Sequence, residues 1–169
     1  PITIVNYLVL GLGSGVVLLL ALLALVGAPA ELIHAVAPWA VGLTAVGLVT
    51  RAVSIQRNAR LKPKSTLQSA TGISNPVIQQ KSMGMSAGAF NTREFFHGKS
   101  EFFVRNVKSI MWGLCFVLPL LLVILATTTH WHLLLVLAFL VQYLGLLSER
   151  WLFFAQARHP QNLYYQTVS

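Results

Sequence analysis

Four long apolar stretches organise the chain, at positions 5–26, 35–50, 110–126 and 133–154. The first and last hold 22 residues each, about 33 Å of helix at roughly 1.5 Å per residue, enough to cross a bilayer core of about 30 Å. The middle two, with 16 and 17 residues, are short for a span. Arg51 and Lys108 at their ends are expected to snorkel and extend them into the interface. The pattern predicts an all-α integral membrane four-helix bundle.

The polar positions between these stretches set the orientation. Segment 51–108 carries ten of the twelve Lys and Arg, and Arg150 and Arg158 follow the fourth stretch. The short turns, 27–34 and 127–132, contain no Lys or Arg and one acid, Glu31. Cations collect on the cytoplasmic side of membrane helices, so 51–108 reads as a cytoplasmic loop and both turns face outward. Within the loop, 65–75 is rich in Ser, Thr, Gly and Asn and reads as irregular. By contrast, 94–107 sets Phe95, Phe96, Phe102, Phe103 and Val107 among charges, as an interfacial amphipathic segment would.

Composition sharpens this picture. With 56% hydrophobic and 9% charged residues and a mean hydropathy of +0.70, the chain is neither a water-soluble globule nor a disordered segment. The net charge of +8 is absorbed by topology and anionic headgroups. No aromatic lies between Arg51 and Lys64, so no nucleic-acid partner is expected. A single cysteine, Cys115, supplies neither a disulfide nor an Fe–S ligand set. The chain begins at Pro1 without a basic, cleavable leader, which suggests a partial or processed chain.

Several residues inside or beside the spans carry chemistry. Gly11 and Gly15 form a GxxxG pattern expected to admit a neighbouring helix backbone. No strand precedes it, which argues against phosphate binding. In the fourth stretch Ala138, Gln142, Gly145, Glu149 and Gln156 fall on one stripe expected to face inward. Gln142 must then hydrogen-bond across the bundle. Glu149 must pair with a cation such as Arg51 or Arg105, or hold a proton. Structural glue, a proton relay and a quinone contact are all compatible with these two. Pro119 removes the amide that would bond the Cys115 carbonyl, so a kink is expected. Pro38, one turn into its stretch, is tolerated where amides lack partners anyway.

Of the five histidines, His34, His130 and His132 lie at the outer boundary with Glu31, and none lies mid-membrane. That placement does not suit a b-type haem, which needs facing imidazoles at matching depth, so no haem or metal is expected in this chain. It does suit a site that accepts hydrogen bonds from a quinol and passes its protons outward. Trp131, Trp112 and Tyr7 fit an interfacial aromatic belt equally well.

Three motifs carry a resemblance: Asn91-Thr92-Arg93-Glu94-Phe95-Phe96-His97-Gly98, Ser148-Glu149-Arg150-Trp151-Leu152-Phe153-Phe154, and His159-Pro160-Gln161-Asn162-Leu163-Tyr164-Tyr165. With them the whole chain resembles the C-terminal half of the membrane anchor subunit of anaerobic dimethyl sulfoxide reductase, an eight-helix family of the bacterial inner membrane. The resemblance implies a non-catalytic subunit of an anaerobic respiratory complex. Such a subunit oxidises menaquinol and passes electrons to an Fe–S subunit and then to a molybdopterin catalytic subunit. Under that implication His34, His130 and His132 are outer quinol or proton groups, and Gln142 and Glu149 inner polar contacts. A secondary-transporter fragment, for which Gly11, Gly15 and Pro119 speak, and a purely structural anchor are the alternatives.

Overall fold

The computed structural model describes residues 2–61, 65–79, 95 and 98–156. Among these, every regular element is helical: α1 Ile2–Leu25, α2 Ala30–Arg60, α3 Leu67–Thr71, α4 Glu101–Trp112, a π-helical turn Gly113–Val117, α5 Leu118–Thr129 and α6 Leu133–Ala155. Helix α4, the π-turn and α5 run on as one span, Glu101–Thr129. Four helices are thus long and apolar enough to cross a membrane.

Two of them exceed their apolar stretches. Helix α2 begins at Ala30 and ends at Arg60, and the third span reaches from Glu101 to Thr129, so the expected loop is helical at both ends. At the far end of the third span, Thr127, Thr128 and Thr129 return their hydroxyls to carbonyls three or four residues back, at 2.7–3.1 Å, so these polar side chains are satisfied within the helix itself. His130 then closes α5 in the left-handed region, at φ 56°. Because α2 starts early, Pro38 lies in its interior rather than its first turn. Segment 65–75 is also less irregular than expected. Thr66 and Ser69 form a reciprocal capping box for α3, and Gly72 closes it.

The described residues fall into two compact units. The first comprises the chain up to Arg60 and Lys108 to Glu149; the second comprises Leu61 to Val107 and the chain from Arg150 onward. In the first, α1 and α2 form an antiparallel hairpin closed at Gly27, φ 65°. The core of its turn end is apolar, with Val17, Leu20, Ile33, Val123 and Leu135 all nearly inaccessible. Leucines such as Leu12, Leu121 and Leu144 are exposed on the outside, where hydrocarbon rather than water suits them. In the second unit, Trp151 meets Phe103 edge-on at 5.0 Å and Phe95 at 6.2 Å between ring centres, while Phe95 stacks on Phe154. Phe102 points outward at 73% exposure. Residues 91–94, 96, 97 and the 159–165 motif lie outside the described residues.

Candidate functional site

The buried positions of α2 and α6 advance by alternating steps of three and four. On α2 they include Ala37, Ala40, Thr44, Gly47, Arg51 and Ser54, and on α6 Leu135, Ala138, Gln142, Gly145, Glu149 and Leu152. A 3.5-residue repeat keeps one seam facing the same neighbour. Two contacts pin the register: Gln142 with Thr44, and Glu149 with Arg51. Both pairs lie seven residues apart on each helix, about 10 Å of rise, so α2 and α6 run parallel with two polar rungs between them.

The upper rung sits near the middle of α6. Gln142, 3% exposed, donates through Nε2 to Thr44 Oγ1 at 3.4 Å and to the Cys115 carbonyl at 3.5 Å. That carbonyl belongs to the π-turn, where the Leu118 amide donates to Gly113. Pro119, four residues after Cys115, has no amide to offer it in the α register. A π-turn is one of the few ways a helix absorbs such a break. Gly145 makes the approach possible: a Cβ there would collide with the backbone of Leu114 and Cys115.

The lower rung is an ion pair. Arg51 Nε lies 3.0 Å from Glu149 Oε1, and the side chains are 2% and 0% exposed. Arg51 was expected to snorkel; it turns inward, because a buried carboxylate on the facing helix needs a cation. Beside it Asn6, 1% exposed, accepts from the Thr50 hydroxyl at 3.2 Å, and Ser54 is buried one turn on. Helices α1, α2 and α6 all contribute to this polar layer. Asn6, Thr44, Thr50 and Ser54 were not singled out from the sequence. Their signal was present as polar residues recurring at the buried period inside spans.

Two expected packing features lie elsewhere. Gly11 and Gly15 face outward, and a Cβ on either meets nothing within 4 Å. The seam of α1 instead runs through Asn6, Leu10, Gly13 and Val17, which places Gly13 against Leu43 and Thr44. Gln156 is exposed, because the buried stripe continues through Leu152.

At the turn end the structure brings His34 and His130 together, with ring centres 5.6 Å apart and planes at 69°. Both are exposed, whereas the Nε2 of His132 is buried. The left-handed backbone of His130 carries its ring to α2. Two imidazoles so placed can accept hydrogen bonds and protons from a ligand at the surface. Among the described residues no cluster of three or more His, Cys, Asp or Glu is arranged to hold a metal.

No family model and no solved structure matches the chain. Over all 169 residues it is 47% identical to a subunit of the sulfite dehydrogenase of Allochromatium vinosum. The chain spans about half, 51%, of that relative's length. A chain with four membrane-competent helices therefore has a relative among the subunits of an oxidoreductase complex.

Proposed function

We propose that the chain forms half of the membrane subunit of an oxidoreductase complex that exchanges electrons with the quinone pool of a bacterial inner membrane. Its partners are an Fe–S electron-transfer subunit and a molybdopterin catalytic subunit. The carrying observation is the His34–His130 pair at the turn end. On the dimethyl sulfoxide reductase reading, menaquinol binds there. Neutral imidazoles accept its hydroxyl hydrogen bonds and take up its two protons as it becomes quinone, and its two electrons pass to the Fe–S partner. The Arg51–Glu149 layer lies at the opposite end of the bundle and serves as an inner polar contact.

The name of the relative favours a second reading with the same parts and the opposite direction. There, electrons from sulfite arrive through the partners, and the histidines donate protons to a quinone being reduced. Purification from detergent-solubilised membranes tests both readings against a transporter fragment, since Fe–S and molybdenum subunits co-purify only with a redox anchor. The substrate that reduces or oxidises the complex then sets the direction. In that complex, His34→Ala/His130→Ala is expected to lower quinone-linked turnover by about a hundredfold or more, the scale of a lost proton-transfer group. Activity with an artificial electron carrier at the partner should persist. Unchanged quinone-linked turnover would remove the histidine site.

A further inference from the structure

His130 caps α5 with a positive φ of 56°, a backbone state that helix caps usually give to glycine and that disfavours any residue with a Cβ. The ring it presents there lies edge-on to that of His34 on α2, centres 5.6 Å apart. Both side chains are exposed, and neither ring has a hydrogen-bond or ion-pair partner among the described residues. Two elements of one packed unit thus hold two free imidazoles at a fixed separation. An imidazole nitrogen binds a divalent first-row cation at about 2.0–2.1 Å, which sets the cation about 3.2 Å from the ring centre. Rings with centres 5.6 Å apart can then share one cation at an angle of about 120°, close to tetrahedral. Rotation about each Cβ–Cγ bond leaves the ring centres almost in place and turns one nitrogen of each ring towards the shared position.

We propose that His34 and His130 together bind a divalent transition-metal cation. Imidazole favours Cu²⁺ and Zn²⁺ over the hard cations Mg²⁺ and Ca²⁺, with Cu²⁺ the tighter. Two protein ligands are fewer than a resident metal centre takes, and among the described residues no third His, Cys, Asp or Glu completes a set. The cation is therefore exchangeable, drawn from the solution that bathes the two short turns. Once bound, it engages the nitrogens that would accept hydrogen bonds from a quinol, so cation and quinone compete. Binding stands on the ring geometry alone; the competition rests on the quinone reading.

The test uses the complex purified without a polyhistidine tag, dialysed against a chelator and titrated with Cu²⁺ alone. Pulsed EPR of the bound Cu²⁺ is expected to show two imidazole nitrogens. His34→Ala and His130→Ala should each remove one of them and weaken this class of Cu²⁺ at least about tenfold, since even an outer-shell partner is worth that much to a metal site. Spectra with one imidazole or none, or indifferent to either substitution, would overturn the proposal. Zn²⁺ then probes the consequence: it should halt quinone-linked turnover and spare activity with an artificial carrier at the partner. Cu²⁺ held by both histidines without inhibition by Zn²⁺ would overturn the competition, and with it the placing of quinone at these rings, while leaving the cation site standing.

Discussion

At the scale of single residues, the decisive feature is a charge pair where hydrocarbon surrounds the bundle. Arg51 and Glu149 each carry a large desolvation cost that only the other offsets, so removing one leaves a buried charge without compensation. Arg51→Gln and Glu149→Gln are each expected to destabilise the fold by about 3–5 kcal/mol, read by unfolding titration of the purified protein in mixed micelles. Arg51→Met/Glu149→Leu should cost less than either single change, since no stranded charge remains. A double variant worse than both singles would show instead that the pair contributes net stability. The sequence indicated that Glu149 needed a cation and named Arg51 as one of two. It offered no means of choosing, because Arg105 is equally near a helix end and only packing leaves Arg105 exposed.

At the scale of elements, helix contacts are governed by the phase of small residues rather than by their number. Gly11 and Gly15 match the familiar close-packing spacing yet face outward, while Gly145, with no glycine four residues away, lets α6 touch the π-turn backbone. Gly145→Ala is therefore expected to cost about 3 kcal/mol or more, as overpacking against backbone does. Gly11→Ala/Gly15→Ala should stay within about 0.5 kcal/mol in the isolated chain. Thermal unfolding of both variants in the same detergent makes the comparison. The correct phase was visible in principle, since Asn6, Leu10, Gly13 and Val17 step by four, three and four. Recognising it requires knowing that Asn6 is buried against Thr50, a fact about a second helix.

At the scale of the whole molecule, polarity divides the bundle along its axis: an apolar core at the turn end and a polar layer at the basic end. The distribution of Lys and Arg predicts that the basic end is cytoplasmic. In a Cys115→Ser background, a cysteine replacing Ala28 is expected to react with a membrane-impermeant thiol reagent added to intact cells. One replacing Asn75 should react only after the membrane is opened. Labelling in the reverse order would invert the proposed assignment of the histidines to the outer face.

Span number, helical class and the sidedness of charge were determined by the sequence alone. Each is a sum over neighbouring residues, of hydropathy across a bilayer's width or of cations at a helix end, and needs no partner. The histidines' nearness to one another was legible for the same reason, since both short turns had to lie at one surface. Only the tertiary structure decided that Arg51 turns inward, that the Cys115 carbonyl meets Gln142, and that Gly145 rather than Gly11 marks the close contact. Each of these depends on which face of one helix meets which face of another, a choice made by packing all four spans together.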